Sequence, residues 1–285
     1  MPGAFVLVAT PIGNLEDMTL RGLRSLREAD LIAAEDTRHT GKLLTHFGIT
    51  TRTVSLHEHN ERSRIPELLD RVRRGERVAV VTDAGMPTIS DPGYAVVVAA
   101  VDAGLNVEVI PGVSALTTAI AGAGLPTDVV TFIGFPPSRA GERARWLERW
   151  REMEGILVLF EAPHRVPATL EALAQTLGNR SVVVAHELTK VHESWHRGLL
   201  DKLIADKDLP AKGEFTILVG PALEAPDPQD AAAVLAPEQV GVEFGLMTEN
   251  GAMTRRDAIA ELARRHGLRK RQIYSMVEAA KHSGE

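Results

Sequence analysis

The chain has 285 residues, 44% of them hydrophobic and 25% charged, a formal net charge of −6 and no cysteine. This is the balance of a globular protein of one large or two ordinary domains with a tail to spare. It excludes disulfides, thiolate nucleophiles and cysteine-ligated zinc, and no apolar stretch approaches the roughly 20 residues of a membrane span.

Residues 4–10 are apolar, lack a basic lead-in and end at Pro11-Ile12-Gly13-Asn14. They read as a first strand and not as a signal peptide, so a cytoplasmic protein is expected. Residues 31–34, 53–56, 78–82 and 107–110 are further short runs rich in Val, Ile, Leu and Ala, and segments of helical period such as Leu20-Leu23-Leu26 and Ile65-Leu68-Leu69-Val72 separate most of them. Strands alternating with helices predict parallel βαβ units in a doubly wound sheet. A helical stretch from Ser114 to Ala123 runs into Gly124-Leu125-Pro126-Thr127, a natural joint. A second series follows, with strands near 130–134, 156–160, 182–186 and 215–219 and helices near 139–153 and 165–177. Two α/β domains, 1–124 and 125–221, are expected to form a cleft between them.

From Ala222 to Gly245 the chain carries three prolines, five acids and no Lys or Arg, so 222–249 reads as a linker. Beyond it, Thr254-Arg255-Arg256-Asp257 resembles a capping box with Asp in place of Glu, opening a helix that Gly267 ends. Ile273, Met276, Val277 and Ala280 mark a second helix, so 250–285 is expected to be a helical hairpin of helix-turn-helix type. Residues 251–285 hold eight Lys/Arg against four acids, +4, leaving about −10 for the rest. A basic appendage on an acidic body fits a module that touches a polyanion, with a solvated helical face as the plainer reading.

The strand ends carry the candidate chemistry. Val78–Val81 runs into Thr82-Asp83-Ala84-Gly85-Met86-Pro87-Thr88-Ile89-Ser90-Asp91-Pro92-Gly93, and Val107–Ile110 into Pro111-Gly112-Val113-Ser114-Ala115. Loops at the carboxyl ends of parallel strands are where open α/β sheets bind ligands, and glycine lets the backbone approach closely. No G-x-G-x-x-G follows the first strand and no G-x-x-x-x-G-K-[ST] occurs, so a ligand held by its phosphate loses support. His57-Glu58-His59 is not H-E-x-x-H and lacks a third ligand of obvious spacing, so no metal is expected. Glu35-Asp36-Thr37-Arg38 suits a helix cap or a substrate-facing edge equally. Glu161 with His164-Arg165 follows another strand, where a turn with a helix cap is the alternative. Trp146 and Trp150, one helical turn apart among Arg143, Arg145, Arg149 and Arg151, suit RNA, a partner subunit or packing against the second domain. Trp195 is a third candidate for stacking on a base.

The two loops quoted above resemble the S-adenosylmethionine-binding loops of the tetrapyrrole methylase superfamily, with Gly85-Met86-Pro87 where that family has Gly-Asp-Pro. Ala9–Leu15, Ala34–Arg38, Ser55–Glu61, Phe160–Arg165 and Gly213–Thr216 are similar to the branch that methylates small-subunit rRNA at a cytidine 2′-oxygen. The resemblance implies S-adenosylmethionine bound by Pro11, Asp83, Ala84, Gly85, Ser90, Pro111, Gly112, Val113, Ser114, Ala115, Leu188 and Glu214. It also implies a cytidine in the decoding region of 16S rRNA as acceptor and a homodimer. Arg255, Arg256, Arg265, Arg269, Lys270 and Arg271 would meet the RNA. A ribose hydroxyl needs a base: Glu35, with Arg38, comes first because both lie at a strand end of the cofactor-binding half, and Asp36, His57, His59, Glu161 and Lys190 are further candidates. Arg38 or Arg165 would hold a phosphate. A methyltransferase for a tetrapyrrole or other small acceptor, or a non-enzymatic RNA-binding protein of the same fold, is the alternative.

Overall fold

The structure is a computed structural model. It describes residues 2–206, 208–222, 237–248, 253–266 and 270–282, except for the side chains at 237, 271, 272, 281 and 282. The chain divides into two compact units, Met1–Ala222 and Leu223–Glu285.

The first unit contains two five-stranded sheets. One is wholly parallel and is built from β1 (Ala4–Val8), β2 (Leu31–Ala34), β3 (Thr53–Ser55), β4 (Arg77–Val81) and β5 (Asn106–Ile110), in the order β3-β2-β4-β1-β5. Its central strands β1, β2 and β4 are apolar on both faces, as a sheet covered on both sides requires. Ala4, Val6 and Val8 of β1 face α1 (Leu20–Glu28) and α2 (Thr37–His46) through Leu26 and Leu44, whereas Phe5 and Leu7 face α3 (Glu61–Arg73) and α4 (Tyr94–Asp102) through Leu68 and Val96. The strand period of two thus sorts one continuous apolar run into two cores. Thr19 caps α1 by accepting from Gly22 N at 3.0 Å, and Asp36 caps α2 by accepting from Arg38 N at 2.8 Å. Of the two readings of Glu35–Arg38, Asp36 and Arg38 take the cap.

The second sheet departs from the expected pattern of parallel units. It is built from β6 (Val130–Gly134), β7 (Ile156–Glu161), β8 (Ser181–His186), β9 (Ser194–Leu199) and β10 (Phe215–Val219), ordered β6-β7-β10-β8-β9. Only β6 and β7 are parallel; the other pairings are antiparallel. One face packs on α7 (Val166–Leu177) and α8 (Leu200–Ile204) through Leu170, Leu173 and Leu203. The other packs on α5 (Ala115–Ala123) through Ala119 and Ala123. Since α5 leaves the end of β5 and lies on the second sheet, it carries Ser114 and Ala115 to the place where the halves meet. Ile12, from the loop after β1, is buried in that same core.

Trp146 and Trp150 of α6 (Ala140–Glu148) and the turn after it pack on the second sheet's core. Arg143 is buried and donates to the carbonyls of Pro137 and Ser138 at 3.5 and 3.3 Å, so it is not an RNA contact. Trp195 donates to Glu193 Oε1 at 2.9 Å, and its ring lies against Gly122 with the Arg197 guanidinium 4.8 Å above.

The second unit corrects the linker boundary. Within the span read as linker, α9 (Pro237–Thr248) forms a helix that buries Val240 and Phe244 against α10 (Arg255–His266) and α11 (Lys270–His282). Among the described residues three helices share this core, where two were expected. An acidic segment without Lys or Arg concealed the apolar positions of α9, which have no partner until α10 and α11 are present. The Thr254 half of the capping box forms: Asp257 N donates to Thr254 Oγ1 at 3.2 Å, while the Asp257 carboxylate accepts from the Thr254 hydroxyl at 2.7 Å. Gly267 and Arg269 lie outside the described residues, as does the side chain of Arg271.

Candidate functional site

The connections leaving β1 and β4, which are neighbours, run in opposite directions across the parallel sheet: β1 continues to β2 over one face, β4 to β5 over the other. The crevice at their carboxyl ends is where an open α/β sheet offers a site. The two loops are joined there, because Thr10 N donates to Gly85 O and Gly85 N to Thr10 O, each at 3.0 Å. Gly85 has φ +80°, a conformation that disfavours a side chain.

Two adjoining cavities open at this crevice. The first, about 340 Å³, is lined by Ile12, Ala84, Gly85, Ser90, Asp91, Ser114 and Ala115 from one half, and by Phe135, Phe160, Glu161, Leu188 and Glu214 from the other. The second, about 500 Å³, is lined by Pro11, His39, Lys42, Asp83 and Lys190, and shares Ile12, Ala84 and Glu214 with the first. Both volumes fall in the range of sites for nucleoside-sized ligands. Of the residues expected to hold a cofactor, Pro11, Asp83, Ala84, Gly85, Ser90, Ser114, Ala115, Leu188 and Glu214 line one cavity or both. Pro111, Gly112 and Val113 line neither. Gly112 instead lies so close to β1 that a Cβ there would come within 2.7 Å of the Ala9 Cβ, so its lack of a side chain serves packing.

The candidate bases separate by their partners. Glu35 Oε2 accepts from Asp83 N and Asp83 Oδ1 accepts from Asp36 N, both at 3.2 Å, so Glu35 sits at the crevice but is engaged in holding the β4 loop. Asp36 and Arg38 pair at 2.8 Å, which holds the Asp36 carboxyl well below the usual carboxylate range, and the Arg38 side chain is 89% exposed. Neither lines a cavity. Burial alone would lower the Lys190 ammonium, but hydrogen bonds and charge from Glu187 and Glu214, at 2.8 and 3.0 Å, hold it above its ordinary value. It is therefore a cation and not a base. Glu161 is buried, accepts from the Thr169 hydroxyl at 2.5 Å and from Ala162 N at 2.8 Å, and pairs with Arg165. Arg165 also donates to the carbonyl of Pro136, so it braces the cavity wall. His57 and His59 stack edge to face with centroids 6.0 Å apart and line neither cavity. Among the described residues no three His, Asp or Glu side chains are grouped so as to hold a metal.

Asp91 escaped the sequence reading. It lines the first cavity, and burial together with the charges of Glu35 and Asp83 pushes its carboxyl up to about 7. The signal was present as an acid inside a Pro/Gly-rich strand-end loop that also holds Asp83, but its nearness to Glu35 depends on β2 and β4 being adjacent. Thr88 and Ser90, just before it, adopt φ of +74° and +65°. Such backbone is unfavourable for residues with a side chain and is retained where the surroundings over-determine it, often at functional sites.

Fold and site together define a class: a two-sheet α/β protein with cavities of small-molecule size between the strand ends of one sheet and a face of the other. Residues 4–204 match the family model for tetrapyrrole (corrin/porphyrin) methylases. The chain is 43% identical over 276 residues to the ribosomal RNA small subunit methyltransferase I of Halalkalibacterium halodurans, covering 96% of this chain and 94% of that protein. It is 44% identical over 277 residues to the protein of the same name from Synechocystis sp., covering 96% and 97%. Among solved structures, uroporphyrin-III C-methyltransferase from Thermus thermophilus complexed with S-adenosylhomocysteine matches with a TM-score of 0.55 at 19% identity, over 76% of this chain and 97% of that one. The chain belongs to the tetrapyrrole methylase family. It is a methyltransferase, and S-adenosylmethionine is its methyl donor.

Proposed function

We propose that this protein transfers the methyl group of S-adenosylmethionine to the 2′-oxygen of a cytidine ribose in the decoding region of 16S rRNA. The observation that carries this reading is the extent of the similarity. The methylase model ends at residue 204, whereas the relatives named as small-subunit rRNA methyltransferases match 96% of the chain and so extend into the helical second unit. A small acceptor gives such a unit no task.

The donor fits the residues present. Apolar walls from Ile12, Ala84, Ala115 and Leu188 suit its adenosyl and methionine carbons, and Gly85, which lacks a side chain, leaves room beside them. Glu35, Asp83 and Asp91 give the crevice a negative field that favours a sulfonium. When bound, the sulfonium supplies an already activated methyl group, so the chain has chiefly to hold the ribose oxygen in line and accept its proton. In the second unit Arg255, Arg256, Arg265, Arg269, Lys270 and Arg271 contribute cations toward RNA phosphates. Tyr94, Val101 and Val109 expose apolar surface on α4 and on the edge strand β5, and a homodimer would cover it. The work takes place in the cytoplasm, where small ribosomal subunits are. No helix among the described residues is long and apolar enough to cross a membrane.

Labelled methyl transfer to small subunits, compared with porphyrinoid acceptors, tests the reading. One 2′-O-methylated cytidine in the rRNA is expected. Label on the porphyrinoid, or none on the rRNA, would overturn it.

A further inference from the structure

We infer that Asp91 is the catalytic base of this methyl transfer, the group that takes the proton from the acceptor hydroxyl. The inference rests on the reading of the acceptor as a ribose 2′-hydroxyl.

Position comes first. Asp91 lines the first cavity in the loop after β4, next to the switch-point crevice. Ile89 in the same loop and Phe135 from the opposite half also line that cavity and are 42% and 53% exposed, so they mark its open rim. Asp91 therefore lies at the end by which an acceptor would enter. Among the described residues no hydrogen bond or ion pair engages its carboxylate. Each of the other cavity acids is engaged: Glu161 by Thr169 and Arg165, and Glu214 by Lys190. Glu35 and Asp83 hold each other's loops. Glu61, from α3, accepts from Gly93 N and Val96 N at 3.1 and 3.2 Å and so pins the far end of the Asp91 loop to the start of α4. The loop is thus fixed at both ends, with Asp91 as its free acid.

Chemistry agrees with position. Burial and two like charges, Glu35 and Asp83, raise the proton affinity of this carboxylate. A base is most effective when its pKa lies near the working pH. A carboxylate of ordinary proton affinity is a weaker base for the same step. In the step itself the O2′–H bond breaks and its proton goes to Asp91. The oxygen's electron pair forms the new C–O bond as the methyl C–S bond breaks. Its electrons remain on sulfur, giving neutral S-adenosylhomocysteine. Asp91 then releases the proton to water.

The full-length Asp91→Asn and Asp91→Glu variants test this, each assayed for methyl transfer to small subunits, for binding of S-adenosylmethionine by calorimetry, and against pH. A general base contributes about 100-fold or more to the rate. Asp91→Asn is therefore expected to lose at least about 100-fold in kcat while binding the donor within about 3-fold of wild type, and Asp91→Glu to recover part of the loss. The wild-type kcat/KM profile is expected to fall on the acid side near pH 7, and this limb to vanish in Asp91→Asn. Carboxyl NMR of the wild-type protein supplies a readout without turnover: one resonance titrating near pH 7 and missing from Asp91→Asn. An Asp91→Asn enzyme within about 5-fold of wild type, or one that keeps the acid limb, overturns the assignment of Asp91 alone. So does a resonance titrating in the ordinary carboxylate range. A wild-type enzyme that labels no cytidine ribose overturns the reading of the acceptor, and this inference with it.

Discussion

Thr10 and Gly85 exchange both of their backbone hydrogen bonds at 3.0 Å, and this single isolated bridge ties the loop after β1 to the loop after β4 across the mouth of the crevice. Gly85 can do so because it occupies the left-handed region at φ +80°. A Cβ added there meets Ile12 at 3.6 Å, an ordinary contact, so the cost of Gly85→Ala is conformational and not steric. That cost is about 1 to 2 kcal/mol. The expected outcome is a melting temperature lower by several degrees and weaker binding of S-adenosylmethionine, because the bridge and the Ala84–Gly85 wall of the cavity shift together. Calorimetry and thermal unfolding of the same variant measure both.

Glu35 and Asp91 should separate in their responses. If Asp91 carries the proton, Glu35 contributes as the acid that holds Asp83 N at 3.2 Å and as a like charge near Asp91. Glu35→Gln keeps an oxygen for that hydrogen bond and removes the charge. The proton affinity of Asp91 should then fall, and the acid limb of the kcat/KM profile should move to lower pH by about half a unit to one unit, with the plateau rate within a few-fold of wild type. A loss of about 100-fold at every pH would instead return the role of base to Glu35.

The cofactor loops were legible in the sequence because they are local: a short apolar strand followed by Gly, Pro and small residues fixes both the element and its ligand-facing end. What was hidden depends on distance in the chain. α4 has the sequence Tyr-Ala-Val-Val-Val-Ala-Ala-Val-Asp, β-branched and apolar nearly all round, and it becomes a helix because Val96 and Ala100 pack on β4 and because Glu61, 32 residues before Gly93, receives its first amides. The antiparallel character of the second sheet depends on β9, a strand of mixed polarity (Ser-Trp-His-Arg-Gly-Leu) with weak alternation, which pairs beside β8. The acid cluster at the crevice joins Asp83 and Asp91 of one loop with Glu35, which only the pairing of β2 with β4 brings to them.

Asp91 also predicts an inverse relation between stability and pH. Its carboxyl is raised from 3.8 to about 7, so between those values the folded protein holds a proton that the unfolded chain has released, and stability falls as pH rises through this window. The undamped shift corresponds to about 4 kcal/mol, but the carboxylate is partly exposed and solvent screening reduces this to about 1 to 2 kcal/mol. Asp91→Asn, which cannot ionise, should be more stable than wild type by that amount at pH 8. The two should converge below pH 4, where Asp91 is protonated in both the folded and the unfolded protein. Urea unfolding at pH 4 and pH 8 reads the difference. An Asn variant equally stable at both pH values would remove the electrostatic strain from the account.

In the second unit the basic residues are not equivalent. Arg255 pairs with Glu278 at 3.0 Å, Arg264 with Glu261 at 2.7 Å, and Arg265 with Glu243 at 3.5 Å, so each has part of its charge answered within the helices. Among the described residues Arg256 and Lys270 have no such partner. They should therefore carry more of the contact with rRNA phosphates than Arg255 or Arg265. Replacing both with Glu is expected to weaken rRNA binding and to reduce the slope of log K against log salt by about 1 to 2, with donor binding unchanged. Arg265→Ala should change the slope less and should also loosen the Glu243 end of α9. Complete removal of the unit requires a cut after Ala222, because a cut at residue 245 leaves Val240 and Phe244 of α9 without the helices that bury them. Filter binding across a salt series, run beside donor calorimetry, distinguishes loss of phosphate contacts from loss of folding: the first lowers the slope with the donor affinity intact, and the second lowers both.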